Sequence, residues 1–208
     1  MKKITKISAQ KNMGRYNLFL DEIFYCGVSE ETILQLGLKK DMLLDDDMLL
    51  VLEEHEKKNQ CFNESLKLLA RQSYFKKTLK DKLIRKGYSE EDINLTILKL
   101  QDMNYINDDL LTTSYINDKK RFSKKGSVYI GQMLRAKGLE SNQVEHSLSM
   151  NYSLEEEIES CIVVATKKLD TYKKKESDPY KLKSKLYTFL LQRGYKKEAI
   201  ETVIKELL

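Results

Sequence analysis

The chain has 208 residues and a formal net charge of +5, and 41% of its residues are hydrophobic while 33% are charged. That apolar share is enough for a folded core and excludes a wholly disordered chain. One proline, eight glycines and no tryptophan, beside many Leu, Lys, Glu and Ile residues, are typical of helices joined by short turns. We therefore expect a mainly α-helical fold.

Cysteine usage and hydropathy exclude several other classes of protein. Cys26, Cys61 and Cys161 are far apart and form no CxxC pair, so we predict neither a zinc site nor a disulfide framework. The N-terminus has lysines but no apolar block of signal-peptide length, and no stretch approaches the roughly 20 apolar residues of a membrane span. We expect a cytoplasmic protein without a membrane partner.

Residues 1–45 differ in pattern from the rest of the chain. Residues 4–7 and 16–20 alternate with a period of two, which predicts short β-strands, and Asp21-Glu22 form the predicted turn of a hairpin into Ile23. Ser29 followed by two glutamates predicts the start of a short helix, and Gly37 predicts its end. This region is therefore predicted to be a β-hairpin and a short helix.

Three acids, Asp45, Asp46 and Asp47, directly precede an apolar run. Clustered carboxylates can bind Ca²⁺ or Mg²⁺, but no EF-hand spacing follows. Acidic residues also stabilise the positive N-terminal end of a helix. We therefore predict a helix start here and no metal site.

An internal repeat follows from residue 64 onward. Its anchors are Gly87, Gly138 and Gly194. Apolar residues recur four and eight positions before each glycine and six and ten positions after it, which places them on single helix faces. Each glycine follows a cation: Lys86, Lys137 or Arg193. Glycine at a helix end with a cation in the last turn predicts a helix, a turn and a second helix.

A further helix is predicted before each of these pairs, at residues 64–73, 109–121 and 154–170. Asn107-Asp108 and Asp178-Pro179 supply helix start signals. The predicted organisation is 1–45, the hairpin and short helix; 46–105, a linking helix and three-helix repeat 1; 106–150, repeat 2; and 151–208, repeat 3. We expect these tandem three-helix repeats to form an extended, curved array.

Four short motifs follow one another along the chain: Leu79-x-x-Lys82-Leu83-x-x-Lys86-Gly87-Tyr88, Tyr105-Ile106-Asn107-Asp108, Lys125-Gly126 and Leu134-x-x-Lys137-Gly138-Leu139. Their order resembles that of the RecX family. The N-terminal segments Ile4-Thr5-Lys6-Ile7, Arg15-Tyr16-Asn17 and Gly37-Leu38-Lys39-Lys40 resemble Gram-positive members, so the resemblance covers essentially the whole chain. Residues 72–75 depart from the family's Arg-x-Arg-Ser pattern, and Arg71 lies one position earlier.

The resemblance implies a regulator of the RecA recombinase in homologous recombination and DNA repair. Such a protein lodges in the groove of the RecA–DNA filament and modulates, usually inhibits, ATP hydrolysis, strand exchange and the SOS response. The sequence contains neither a recognisable catalytic set nor a phosphate-binding loop, so we predict no enzymatic activity and no cofactor. We expect a monomer.

Basic residues concentrate in the repeats and supply the candidate contacts to RecA or to DNA. These candidates are Arg71, Lys76, Lys80, Lys86, Arg121, Lys124, Lys125, Arg135, Lys137 and Arg193. A basic strip of this kind suits a filament groove or DNA phosphates. The simpler alternative is that these are solvated lysines on helix surfaces and that the aromatic residues among them pack in the core.

Two other functions remain open from the sequence. Helices joined by a glycine turn also describe helix-turn-helix modules that bind DNA directly. The helix after Gly87, however, starts with Ser89-Glu90-Glu91-Asp92. These residues are acidic or neutral at the end where a recognition helix would meet phosphates and bases. Tight, salt-sensitive binding to DNA alone would identify such a protein. A scaffold for some other protein partner is the third hypothesis.

Overall fold

The computed structural model describes residues 1–11 and 13–208. The chain forms two compact units. Unit 1 comprises residues 1–74 and 79–106, and unit 2 comprises residues 75–78 and 107–208.

Unit 1 begins with an antiparallel sheet of order β3-β2-β1-β4. Its strands are β1 (Lys2–Ala9), β2 (Arg15–Leu20), β3 (Ile23–Ser29) and β4 (Leu43–Leu44). The predicted strands and hairpin are confirmed, and the turn residues Asp21 and Glu22 adopt φ of 48° and 69°. Strand β4 was not predicted, because a two-residue strand is too short to show a period.

Two helices cover one face of this sheet. They are α1 (Glu30–Gln35) and α2 (Asp46–Leu69). The predicted caps are confirmed, since Ser29 accepts the Thr32 N–H and Asp45 accepts the Met48 N–H. The separate helix predicted at residues 64–73 is wrong: α2 runs without a break through 24 residues to Leu69, because no glycine or proline interrupts it.

The predicted helix pairs after α2 are confirmed, as are the predicted first helices of the second and third repeats. The first repeat continues with α3 (Lys76–Arg85) and α4 (Glu90–Asp102). The second repeat consists of α5 (Asp108–Arg121), α6 (Ser127–Ala136) and α7 (Ser141–Asn151), and the third of α8 (Leu154–Lys173), α9 (Pro179–Gln192) and α10 (Lys197–Leu207). The glycines between the pair helices have φ of +88°, +103° and +79° in chain order.

Each repeat buries its own apolar cluster. Leu79, Leu83, Ile93 and Ile97 are buried in the first, Ile130, Leu134 and Val144 in the second, and Leu186, Leu190, Ile200 and Ile204 in the third. These are the recurring positions found in the sequence, so the predicted tandem three-helix repeats are confirmed. Their burial fixes which helix faces turn outward and which basic side chains can meet a partner.

Candidate anion-binding surface

The ten predicted basic residues divide between the two units. Arg71, Lys80 and Lys86 belong to unit 1, and Lys76, Arg121, Lys124, Lys125, Arg135, Lys137 and Arg193 belong to unit 2. The sequence pattern did not indicate this division. Unit 2 holds the denser group.

The cations of unit 1 are partly engaged within that unit. The Lys86 Nζ lies 2.9 Å from a carboxylate oxygen of Glu64, so its charge is paired. The Lys80 Nζ donates to the Asn94 side-chain oxygen at 2.5 Å. Arg71 is exposed just after α2. These contacts leave no concentrated positive surface among the three.

In unit 2, two lysines converge on a pair of aromatic rings. The Nζ atoms of Lys119 and Lys137 lie 5.2 Å and 5.3 Å from the centroid of Tyr115. Lys137 also lies 5.2 Å from the centroid of Phe75, whose ring meets Tyr115 edge to face. Cations above ring faces are attracted by the negative π surface, so these rings hold the ammonium groups in place.

A third lysine extends this group along the loop that follows α5. The Lys125 Nζ lies 4.2 Å from the centroid of Tyr129, and its backbone N–H donates to the Lys119 carbonyl at 3.2 Å. Burial first, and then the charges of Arg193 and Lys119, lower the pKa of Lys125. We call Phe75, Tyr115, Lys119, Lys125, Tyr129 and Lys137 the aromatic–lysine cluster.

The like charges in this cluster are not balanced by neighbouring acids. Within residues 1–11 and 13–208, none of its three lysines forms an ion pair with a carboxylate. Like charges that are held close together raise the local positive potential and favour an incoming anion. The cluster is therefore suited to bind carboxylates or phosphates.

Arg193 has a different place from the one that the sequence suggested. Its Nη2 donates to the carbonyl oxygens of Ser123 and Lys124, the second at 2.8 Å. The Tyr195 hydroxyl donates to the same Lys124 carbonyl at 2.7 Å. Lys124 itself adopts φ of 47°, a costly conformation for a side-chain-bearing residue. Arg193 thus holds the loop that presents Lys124 and Lys125.

The remaining predicted cations of unit 2 lie outside the cluster. Arg121 and Lys124 line a groove of about 600 Å³ between α5 and α8, where Lys120 pairs with Glu156 at 2.8 Å. Arg135 is exposed near the end of α6. The backbone N–H of Lys76 donates to the Asp108 carboxylate at 2.9 Å. The structure therefore brings together Lys125 and Lys137 but not these residues.

Lys119 was not among the cations predicted from the sequence, although a usable signal was present. Lys119 follows Tyr115 by four positions, so the two side chains share one face of α5. A tyrosine and a lysine at this spacing were visible in the sequence. The position of Lys137 on the same ring was not visible, because it depends on how α6 packs against α5.

The potential metal ligands and the cysteines of the described residues form no grouped site. In the described part of the chain, no three His, Cys, Asp or Glu side chains are grouped to hold a metal ion. Cys26, Cys61 and Cys161 are free thiols. Burial raises the pKa of Cys26 to about 11. Among the helices at residues 1–11 and 13–208, none is long and apolar enough to cross a membrane.

Comparison with known proteins gives consistent matches along the chain. Family models match at three places: the regulatory protein RecX N-terminal domain at residues 2–45, the RecX first three-helix domain at 61–100, and the RecX third three-helix domain at 155–204. These matches fall on the sheet region, on the first repeat and on the third repeat.

Relatives named "Regulatory protein RecX" span the full chain. The protein of Clostridium botulinum (strain Alaska E43) is 36% identical, with all of this chain and 97% of the relative covered. That of Bacillus subtilis (strain 168) is 28% identical over 98% of this chain and 76% of the relative.

Solved structures agree with these sequence matches. A crystal structure of regulatory protein RecX has a TM-score of 0.82 at 25% identity, covering 99% of this chain and 100% of that one. The structure of RecX from Lactobacillus salivarius has a TM-score of 0.67 at 28% identity, covering 74% of this chain and 97% of that one.

Proposed function

The chain belongs to the RecX family of regulatory proteins, and from this premise we propose that it binds the RecA–DNA filament and inhibits the activities of RecA. The affected activities are DNA-dependent ATP hydrolysis, strand exchange and induction of the SOS response. The proposed role is that of a binding protein that catalyses no reaction of its own. Its proposed partner is the assembled filament, and the basic residues chosen from the sequence are proposed to contact the DNA.

The aromatic–lysine cluster is the observation that supports this proposal. A RecA–DNA filament offers phosphates and acidic side chains, which are the anions that the cluster suits. Lys119, Lys125 and Lys137 are held on ring faces, so less side-chain entropy is lost when they bind than for free lysines. The cluster is therefore a preorganised anion site.

Inhibition follows from binding one state of the filament more tightly than another. A ligand shifts an equilibrium only by its differential affinity for the two states. If the chain binds best to a filament that hydrolyses ATP slowly, the population of that filament rises as the chain is added. No chemical step by the chain itself is required.

The first test is the DNA-dependent ATPase activity of RecA from the same bacterium, titrated with the full-length chain. We expect inhibition below one chain per RecA subunit, because a protein seated in the groove affects neighbouring subunits. A DNA-only binding titration is the control. Tight, salt-sensitive DNA binding without any effect on ATP hydrolysis would instead support a direct DNA-binding protein.

The second test reverses the charges at the loop and the cluster. The variant Lys124→Glu, Lys125→Glu, Lys137→Glu is expected to raise the half-inhibiting concentration by about tenfold or more, since about 1.4 kcal/mol of lost attraction has that effect. The matched control is Lys167→Glu, Lys183→Glu, Lys197→Glu, which changes the same charge at exposed sites of the same unit. Equal inhibition by both triple variants would remove the cluster from the site.

We also propose that the chain acts in the cytoplasm and as a monomer. The mass in solution is the measurement that tests the monomer. Sedimentation equilibrium of the full chain is expected to give the mass of one chain, 24.4 kDa. A stable dimer would contradict this part of the proposal and would require the ATPase titration to be counted per dimer.

A further inference from the structure

The outer face of the N-terminal sheet carries a row of three side chains, one from each of three adjacent strands. In the strand register Lys6 pairs with Phe19, and Phe19 pairs with Phe24. The Lys6 Nζ lies 5.5 Å from the centroid of Phe19, and the two phenylalanine rings meet edge to face with centroids 5.8 Å apart. The opposite face carries the buried side chains Leu18 and Val28, so this row turns toward solvent.

Phe24 is more exposed than cross-strand packing requires. Its side chain is 54% exposed, whereas Phe19 is partly covered by its two neighbours in the row. An aromatic pair across strands stabilises a hairpin, which accounts for Phe19 and for one edge of Phe24. That contact does not account for the uncovered face of Phe24, which lies on strand β3 at the edge of the sheet.

Polar groups lie next to this aromatic row on the same face. The Gln10 Nε2 donates to the Asn17 side-chain oxygen at 2.8 Å. The Gln10 amide lies directly over Gly27, where an added Cβ would approach its Nε2 to 2.8 Å. The Gln10 nitrogen also donates to the Tyr16 carbonyl at 3.4 Å, so the Gln10 oxygen and the Asn17 nitrogen are the amide atoms left for a ligand. The face therefore combines an aromatic ring, a cation and amide groups.

The charge on this face selects among possible occupants. Lys6 is exposed and the exposed Lys11 follows the same strand. The turn between β2 and β3 carries the acids Asp21 and Glu22, and Asp21 is already bonded to the backbone N–H of Lys3 at 3.0 Å. An aromatic ring beside a cation matches the base and the phosphate of one nucleotide. A hydrophobic protein segment would not use the cation or the amides.

We propose that this sheet face binds single-stranded nucleic acid, with a base stacked on Phe24 and a backbone phosphate beside Lys6. An antiparallel sheet that exposes aromatic side chains among polar and basic ones is a known physical solution for holding unstacked bases. The site lies in unit 1 and is separate from the aromatic–lysine cluster of unit 2. It can therefore be tested without RecA, and its failure would leave the filament proposal standing.

The chain contains no tryptophan, which permits a direct local readout. Phe24→Trp places the only indole of the variant at the proposed stacking position. Its emission is expected to fall as oligothymidylate is added to the full-length variant, because a stacked base quenches an indole. The matched control is Tyr180→Trp, at a side chain that is 81% exposed in unit 2, and its emission is expected to stay constant.

Affinity for the same oligonucleotide, measured by anisotropy, completes the test. Phe24→Leu keeps an apolar contact with Phe19 but removes the ring, and it is expected to weaken binding by about tenfold, within the usual range for one stacked base. Lys6→Gln is expected to reduce the slope of log affinity against log salt by about 0.7. Melting curves of both variants establish that the sheet is folded.

Three results would overturn the proposal. They are an absence of oligonucleotide binding by the full chain, an unquenched fluorophore in Phe24→Trp, or unchanged affinity of a folded Phe24→Leu variant. If Phe24→Leu lost only its effect on RecA while its oligonucleotide affinity stayed the same, the face would be a protein-docking surface instead. In that case the nucleic-acid proposal would also be rejected.

Discussion

The first and third repeats contain the same three-residue turn in two different settings. The turn is cation, glycine, tyrosine: Lys86-Gly87-Tyr88 in the first repeat and Arg193-Gly194-Tyr195 in the third. In the first repeat, an added Cβ at Gly87 would meet nothing within 4 Å. In the third, an added Cβ at Gly194 would lie 2.3 Å from the Tyr129 Cβ and 2.4 Å from its backbone nitrogen.

The flanking residues differ in the same way. Lys86 forms an ion pair at the surface, whereas Arg193 binds the carbonyls of the loop before α6. Tyr88 is half-buried, whereas Tyr195 is only 1% exposed and donates to the Lys124 carbonyl. A turn that ends one helix in the first repeat thus also docks two repeats together in the third. One local sequence signal therefore serves two tertiary roles.

The largest loss of stability is expected when a side chain is added at Gly194. Gly194→Ala is expected to destabilise the chain by about 4 kcal/mol, because it adds a backbone clash to the cost of a left-handed alanine. Gly87→Ala carries only the conformational cost, about 1 kcal/mol. Urea unfolding of both variants measures the two values. Equal destabilisation would show that the turns are not used differently.

The helix starts that follow these turns extend the comparison. Two residues after each glycine lies an N-cap, Ser89 in the first repeat and Lys196 in the third. Ser89 caps its own helix by accepting the Asp92 N–H at 3.1 Å. The Lys196 N–H instead donates to Glu157 at 3.1 Å, and the same buried carboxylate accepts the N–H and hydroxyl of Ser127. One distant side chain therefore serves two helix starts in unit 2.

The second expected effect follows from that shared carboxylate. Glu157→Gln removes the charge from an acceptor of three hydrogen bonds. Its amide oxygen can still accept both backbone N–H groups, but its nitrogen must donate to the Ser127 hydroxyl, so we expect a loss of about 2 kcal/mol. Ser89→Ala in the first repeat removes a local cap and is expected to cost about 1 kcal/mol. Glu159→Gln, on the exposed face of α8, is the control and should change stability by less than about 0.5 kcal/mol. If Glu157→Gln lowered the free energy of unfolding no more than Ser89→Ala does, this account would be contradicted.

The sequence predicted what depends on neighbours along the chain. Glycine turns, the caps at Asn107 and Asp178 and the apolar faces of the helices all follow from spacing, and they are present in the structure. The role of Glu157 and the docking of Gly194 were not predictable, because their partners lie about 30 to 70 residues away and leave no periodic signal. A carboxylate in the first turn of a helix looks the same whether it is solvated or buried.

The candidate surface shows the same limit. Lys125 and Lys137 were among the cations chosen from the sequence, and they do meet aromatic rings in unit 2. Arg193 was chosen for the same reason, its charge, and yet its guanidinium is bonded to loop carbonyls. A basic residue type does not reveal whether its donors face solvent or backbone, since that depends on tertiary packing.

The smallest expected effect concerns two buried thiols in the first helices of these repeats, Cys61 in α2 and Cys161 in α8. Burial raises the pKa of Cys161 to about 12, whereas the Thr96 hydrogen bond partly offsets the burial that raises the pKa of Cys61. Because the thiol pKa is higher in the folded chain than in the unfolded chain, the buried thiol contributes its full stabilisation below the ordinary thiol pKa of 9.0. That stabilisation is lost as the pH rises toward the folded value. Only the unfolded thiol ionises in that window, so the free energy of unfolding falls.

We therefore expect the free energy of unfolding to decrease more between pH 9 and pH 10 in the wild-type chain than in Cys161→Ala, by about 1 kcal/mol in total. Taking the difference between the two proteins cancels the ionisation of the tyrosines and lysines that both share. Cys61→Ala should give a smaller difference, because the Thr96 hydrogen bond favours the thiolate in the folded first repeat. Urea unfolding at three pH values measures this, and identical slopes for Cys61→Ala and Cys161→Ala would mean that the two helices bury their thiols in equivalent surroundings.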